Sequence, residues 1–142
     1  MKKTEIAYMA GLVDGEGCLY VGLDKRRKSG GHAPRLQIRM THQPTIAWLA
    51  SKWQVVVKKE KRKAPWRPTF KVMLTGQKAL NLVQQILPYL ITKRAEAEEF
   101  VRFPICNLKG HNDRVPEFVQ NDRMRIRKSL QKLKRLGLGI PG

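Results

Sequence analysis

The chain has 142 residues, 42% of them hydrophobic, which is typical of one folded domain with a real core and excludes a disordered tail. Its 29 Lys and Arg residues against 11 Asp and Glu residues give a formal net charge of +18, so the expected partner is a polyanion, most commonly nucleic acid. Two cysteines and three scattered histidines exclude a disulfide framework and a zinc site. We expect neither a signal peptide nor a membrane span, and so a protein that is not secreted and works in the cytoplasm or an organellar matrix that contains DNA.

The predicted elements follow one another as helix, two strands, helix, two strands and helix. Their expected bounds are a helix over 5–14 with Thr4 as its N-cap, strands over 18–23 and 35–41, a helix from 44, strands over 54–61 and 67–75, and helices over 77–87 and 93–103. This order predicts an α+β fold, an αββαββα core in which helices cover one face of a four-stranded antiparallel sheet.

The C-terminal part of the sequence has a different pattern. A loop is expected from Pro104 to Pro116, and Asn121 is expected to cap a last helix over 122–136. Seven basic residues lie between Arg123 and Arg135. We therefore predict a single domain over 1–142, with a core over about 4–103 and a basic helical extension over about 104–142.

The first predicted helix has one face of small residues. Bulky residues such as Met9 and Val13 lie on another face, toward the chain's own core. A face without large side chains lets a second helix backbone approach closely, and a second copy of this chain could supply that helix. The residues predicted to form this dimer interface are Ala7, Ala10, Gly11 and Asp14.

The segment Met9–Gly17, with the sequence MAGLVDGEG, resembles the LAGLIDADG motif of homing endonucleases. It matches the motif at five positions and carries conservative replacements at Met9, Val13, Gly15 and Glu16. The resemblance extends over about Thr4 to Phe103, and no second copy of the motif occurs in the sequence, which favours the single-motif branch.

The resemblance implies a homodimer with a saddle of two sheets that binds double-stranded DNA at a long pseudo-palindromic site. It also implies site-specific, metal-dependent cleavage of both strands, in the service of the intron or intein that encodes the protein. A single carboxylate holds Mg²⁺ poorly, because the ion prefers several oxygen ligands, so two copies of Glu16 meeting near a two-fold axis would improve the site.

Three candidate catalytic residues follow from the resemblance. Glu16 stands where the family has the acid that binds the divalent metal, Mg²⁺ or Mn²⁺, and the main-chain carbonyl of Gly15 often joins it. Lys93, after a Pro-containing break, corresponds to a lysine that orients or polarises the attacking water. His42 takes the position of a polar residue near that water, although the neighbouring Gln43 stays open. Ile46 falls where some relatives carry an arginine.

The outward face of the predicted sheet has side chains that suit base edges. Arg and Lys suit guanine, Gln suits adenine and Asp can accept from cytosine, while basic turns and the last helix would contact phosphates. The candidate DNA-binding residues are Tyr20, Asp24, Lys25, Arg26, Arg27, Lys28, Arg35, Gln37, Arg39, Lys61, Arg67 and Lys71.

Two other classes of function stay open at this point. One is a catalytically inactive protein with the same fold that binds nucleic acid as an RNA maturase or a transcription regulator. The other is a basic RNA-binding or ribosome-associated module without an active site. A cleavage assay with magnesium distinguishes the first class from an endonuclease, and a monomeric mass in solution would favour the second.

Overall fold

The computed structural model describes residues 1–24, 31–106 and 115–139. The helices are α1 (Lys3–Glu16), α2 (Gln43–Trp53), α3 (Gln77–Ile86), α4 (Arg94–Phe100) and α5 (Glu117–Gly139), and the strands are β1 (Gly17–Asp24), β2 (Gly31–Met40), β3 (Lys58–Glu60) and β4 (Thr69–Thr75). A short 3₁₀ turn follows α3 at Leu87–Tyr89. The predicted α+β class and the order of elements are confirmed.

The four strands form one antiparallel sheet in the order β1-β2-β4-β3. Leu19 pairs with Leu36 and Ile38 pairs with Val72, and these four side chains are buried against the helices. Alternation along each strand therefore sends its polar residues to the opposite, outward face. Among the described residues no helix is long and apolar enough to cross a membrane.

Several predicted boundaries differ from the structure. Helix α1 begins at Lys3, so Thr4 lies inside the helix and is not its N-cap; the carboxylate of Glu5 accepts the main-chain N–H of Lys2 at 3.2 Å instead. Strand β2 begins at Gly31, four residues before the predicted start, although Pro34 disfavours strands. Pairing with β4 begins only at Arg35, so Pro34 has a strand neighbour on one side, β1.

The largest differences concern β3 and α5. The third strand is predicted over 54–61 but spans only Lys58–Glu60. Gln54 has φ of 55° and ends α2 in the left-handed conformation, so it belongs to the end of the helix. Helix α5 begins at Glu117, directly after Pro116, so Asn121 lies inside the helix and is not its cap. Part of the predicted loop between 104 and 116 lies outside the described residues.

Gly17 joins α1 to β1 at a point where a side chain has no room. A Cβ atom there would lie 2.7 Å from the main-chain oxygen of Val13 and 2.8 Å from its Cα. Because these atoms belong to the helix backbone, we expect Gly17→Ala to lower the free energy of unfolding by about 1–3 kcal/mol, measured by urea denaturation.

Gly15 provides the matched control for this substitution. In the single chain a Cβ atom at Gly15 would meet nothing within 4 Å, so Gly15→Ala is expected to leave the stability of the monomeric subunit unchanged or to raise it through helix propensity. Equal unfolding free energies for Gly17→Ala and the wild type would show that the junction has more room than its geometry implies.

Candidate functional site

Glu16 is the last residue of α1, and its side chain is exposed at the edge of an open cleft of about 300 Å³. The antiparallel register brings the start of β1, the end of β2 and the start of β4 to this same end of the sheet. The residues that line the cleft with Glu16 are Arg39, Met40, Thr41, His42, Arg62 and Thr69.

His42 is the residue before α2 and its side chain is exposed. Its Nδ1 atom lies 2.7 Å from the hydroxyl oxygen of Thr45, which fixes the ring and leaves Nε2 to bind a second partner. His42, rather than Gln43, lines the cleft with Glu16. The two residues that the sequence left as alternatives are thus distinguished by position, while the catalytic role stays a prediction.

Lys93 lies beside the end of α1 because Asp14 binds the segment before α4. The carboxylate of Asp14 accepts hydrogen bonds from the main-chain N–H groups of Ile91 at 2.8 Å and Lys93 at 3.0 Å. The ammonium group of Lys93 donates to the main-chain oxygen of Asp14 at 2.7 Å. Lys93 thus contacts the residue that directly precedes Gly15 and Glu16 in α1. It also gives the Asp14 carboxylate a role within the monomer, which differs from the predicted interface role.

The exposed strip of α1 is narrower than the sequence predicts. Ala10 is 0% exposed and belongs to the monomer's core, and Ala7 is half-buried, so neither lies on the exposed strip; the dimer interface stays a prediction. Gly11 and Gly15 are exposed, and a Cβ atom on either would meet nothing within 4 Å. Their four-residue spacing leaves a bare strip of helix backbone at the surface.

The donor atoms near Glu16 are too few for a metal held by one chain. Among the described residues there is no group of three or more His, Cys, Asp or Glu side chains that could hold a metal ion. The Glu16 carboxylate and the Gly15 carbonyl would leave most of an octahedral Mg²⁺ site to other ligands. Mg²⁺ commonly binds through one or two carboxylates together with substrate phosphates and water, and an open cleft with two arginines fits that arrangement.

Glu60 is a carboxylate on the outward face of the sheet that the sequence analysis missed. It accepts from Arg39 Nε at 3.0 Å and from Arg39 Nη2 at 3.2 Å, and its Oε1 atom lies 3.2 Å from Lys71 Nζ. The hydrogen bond from Lys71 and the nearby positive charges lower the pKa of Glu60. Alternation along β3 could have identified it, since Glu60 pairs with Thr69 and so shares a face with Lys71.

Three of the predicted DNA-binding residues lie together on the central part of the outward face. The hydroxyl of Tyr20 lies 3.4 Å from Gln37 Oε1 and 3.5 Å from Met73 Sδ, which connects β1, β2 and β4. The guanidinium of Arg35 lies across Gly22, where a Cβ atom would come within 2.7 Å of its Cζ. Glycine at position 22 thus allows Arg35 to lie flat on β1.

Helix α5 reaches the same outward face from the edge of β1. Lys134 Nζ lies 3.5 Å from Cys18 Sγ and 6.0 Å from the centroid of the Tyr20 ring. No local sequence pattern indicates this contact, because it joins residues 116 positions apart.

The other predicted DNA-binding residues lie in a loop or have side chains outside the described residues. Lys61 and Arg67 are exposed in the loop between β3 and β4. Asp24 ends β1, but its side chain lies outside the described residues, as do Lys25, Arg26, Arg27 and Lys28.

No family model and no curated protein sequence matches the chain. Solved structures do match it. The homing endonuclease I-CvuI, in complex with DNA targets, has a TM-score of 0.70 and 18% identity over 92% of this chain and 82% of its own. The archaeal intron-encoded homing endonuclease I-Vdi141I, complexed with DNA, has a TM-score of 0.63 and 15% identity over 95% of this chain and 85% of its own. The homing endonuclease I-TnaI has a TM-score of 0.56 and 18% identity over 95% of both chains.

Because only 15–18% of the residues are identical, the similarity to these structures is one of backbone fold. It spans nearly the whole of this chain. The motif at Met9–Gly17 forms the C-terminal half of α1 and its junction with β1, and it ends at the cleft described above. The chain therefore has the fold of the LAGLIDADG homing endonucleases.

Proposed function

We propose that this protein is a homing endonuclease that cleaves both strands of DNA at a specific site, with Mg²⁺ or Mn²⁺, as a homodimer encoded in an intron or intein. The observation that carries the proposal is the exposed carboxylate of Glu16, at the end of the motif helix, in an open cleft that also contains His42, Arg39 and Arg62. A carboxylate among cationic groups suits metal-assisted phosphodiester hydrolysis.

Binding to double-stranded DNA is supported by the outward face of the sheet. The face carries Arg35, Gln37, Arg39 and Lys71 on adjacent strands, and these residue types recognise base edges in the major groove. A net charge of +18 adds a strong attraction for phosphates. I-CvuI and I-Vdi141I, which share the fold, were both solved in complexes with DNA. Two such sheets related by a two-fold axis would bind a long pseudo-palindromic site.

A homodimer is supported by two features of α1. The bare strip at Gly11 and Gly15 would allow two helices to pack with their backbones close together. Such packing would also bring two Glu16 carboxylates to one end of the interface, which supplies a second acid beside the one that the described residues of a single chain bring to the cleft. The dimer therefore accounts for both the exposed backbone and the incomplete set of metal ligands.

In the proposed reaction each residue has a distinct task. Glu16 and the Gly15 carbonyl would hold the metal, which when bound supplies positive charge to the phosphate and lowers the pKa of water. Lys93, fixed against the Asp14 carbonyl, and His42, fixed by Thr45, would hold the attacking water in line with the phosphorus atom. The exposed face of the sheet would set the register of the DNA, so that one phosphate on each strand enters a cleft.

The test is selection of cleaved sites from a library of randomised DNA duplexes with Mg²⁺, followed by binding measurements on the selected site with Ca²⁺. We expect both strands to be cut within one family of nearly two-fold symmetric sequences. Sequence-specific binding without cleavage in Mg²⁺ or Mn²⁺ would favour the inactive nucleic-acid-binding alternative. Absence of any sequence preference would contradict the proposal altogether.

Glu60 offers a prediction about specificity in DNA binding. Glu60→Gln removes the charge that holds Arg39 and Lys71, so these two cations become free to bind phosphates at any sequence. We expect affinity for random DNA to rise and its salt dependence to steepen by about two units of slope, one for each freed cation, while discrimination between the selected site and single-base variants falls. Competition binding at several salt concentrations measures all three quantities.

Glu98→Gln is the matched control, because Glu98 is exposed on α4 and its ion pair is with Arg94 on the same helix. An unchanged discrimination ratio in Glu60→Gln would mean that Arg39 does not depend on this carboxylate for its orientation.

A further inference from the structure

The cleft that contains Glu16 is lined by two arginines with different surroundings. Arg39 is occupied by Glu60, which bonds both Nε and Nη2. Arg62, two residues after β3, has its guanidinium carbon 5.3 Å from the centroid of the Trp66 ring. Within the described part of the chain, no carboxylate lies within ion-pair distance of Arg62. Its charge is therefore available to a ligand that enters the cleft.

The other cations near Glu16 are less suitable for this purpose. Lys93 donates to the main-chain oxygen of Asp14 and is not among the residues that line the cleft. Helix α2 supplies no cation at position 46, where some relatives carry an arginine, because the residue there is Ile46 and its side chain is 0% exposed in the core. The described residues thus offer Arg62 as the cation of this cleft whose charge no acid neutralises.

Trp66 gives the Arg62 side chain a preferred orientation. The ring is 65% exposed, which is unusual for a large aromatic residue, and it lies in the same loop as Arg62. Stacking of a guanidinium on an aromatic face restricts the long side chain but leaves the N–H groups in its plane free to donate. Trp66 is therefore a positioning residue for Arg62.

We propose that Arg62 contacts the phosphate to be cleaved and stabilises the negative charge that develops on its non-bridging oxygens; this inference rests on the proposed endonuclease function. In the hydrolysis, the oxygen of a water molecule forms a bond to phosphorus while one P–O ester bond breaks. One water proton ends on the leaving oxygen and the other is released to solvent. The planar N–H groups of arginine match two phosphate oxygens and gain strength as charge accumulates there.

The experiment compares Arg62→Gln with Lys63→Gln on the selected DNA site. Lys63 is the next residue of the same exposed loop and the substitution removes the same charge, but Lys63 does not line the cleft. Single-turnover cleavage with Mg²⁺ at saturating protein gives the rate of the chemical step, and binding with Ca²⁺ gives the affinity. We expect Arg62→Gln to lower the rate about 100-fold or more and the affinity by about 3-fold or less, because the contact strengthens in the transition state.

Lys63→Gln is expected to change the rate by less than about 3-fold, and Arg62→Lys is expected to recover part of the lost rate by restoring the charge without the planar fork. Trp66→Ala should lower the rate less than Arg62→Gln, because the guanidinium remains but loses its orientation. Since Arg62 is exposed, thermal unfolding of each variant is expected to match the wild type.

Two outcomes would overturn the inference while the proposed function stands. In the first, the wild type cleaves and Arg62→Gln cleaves at the same rate. In the second, the cleavage rate and the DNA affinity of Arg62→Gln fall by the same factor, which would make Arg62 a binding contact only. A wild type that binds its selected site but does not cleave it would instead overturn the proposed function, and the role of Arg62 with it.

Discussion

Exchange of Glu16 for glutamine is expected to abolish DNA cleavage while leaving DNA binding within a few-fold of the wild type. The substitution keeps the size of the side chain but removes the one negative charge among the described residues that line the cleft. Because stabilisation of transition-state charge by a metal contributes several kcal/mol, the cleavage rate should fall by about 1,000-fold or more. Single-turnover assays with Mg²⁺ on the selected site measure this effect.

The exposed position of Glu16 makes this result easy to interpret. A side chain at the open end of a helix contributes little to packing, so the variant should unfold at the wild-type temperature. Glu98→Gln, which removes an exposed carboxylate from α4, should cleave at the wild-type rate. Retained nicking by folded, pure Glu16→Gln in Mg²⁺ would remove Glu16 from the reaction.

The parts of the fold that the sequence predicts well are those set by local patterns. Alternation over Arg35–Met40 depends only on neighbouring residues, and β2 has that pattern buried on one face as expected. The position of Glu16 at the end of a helix also follows from adjacent residues, because Gly17 admits the turn into β1. Local sequence was thus sufficient to place the candidate metal ligand.

Features that depend on distant contacts were not predictable in this way. Helical spacing predicts Asp14 at an interface, but its carboxylate binds main-chain groups 77 and 79 residues further along the chain. The shared contacts of Glu60 with Arg39 and Lys71 depend on how β3 and β2 lie on either side of β4. The position of Arg62 in the cleft follows from the same strand order, which alternation within a single strand does not reveal.

The remaining errors concern the predicted bounds of β3 and α5. Val55 and Val57 are half-buried and Val56 between them is 89% exposed, an alternation expected of a strand, yet strand pairing begins only at Lys58. Helix α5 starts earlier than its apolar stripe indicates: its first turn, Glu117–Gln120, follows Pro116 directly, and Gln120 Nε2 donates to the main-chain oxygen of Val115 at 2.8 Å. The bounds of such segments depend on small differences in local conformational free energy, and tertiary contacts outweigh these differences.

Substitution of Gly11 by leucine is expected to separate the dimer without unfolding the subunit. In the single chain a Cβ atom at Gly11 would meet nothing within 4 Å, so a leucine there extends into solvent. In the proposed dimer the same side chain would lie between two helix backbones, where it costs several kcal/mol, and the dissociation constant should rise by about 100-fold or more. Analytical ultracentrifugation across a range of concentrations measures this change.

The same variant tests whether the two copies of Glu16 act together. A separated subunit retains one carboxylate and one sheet, so cleavage should be lost at concentrations where the variant is monomeric and should return as the protein concentration increases. Gln131→Leu adds an equal side chain to an exposed position of α5 and should remain dimeric and active. If Gly11→Leu dimerises with wild-type affinity, the subunits meet through another face, and the bare strip at Gly11 and Gly15 would need a different explanation.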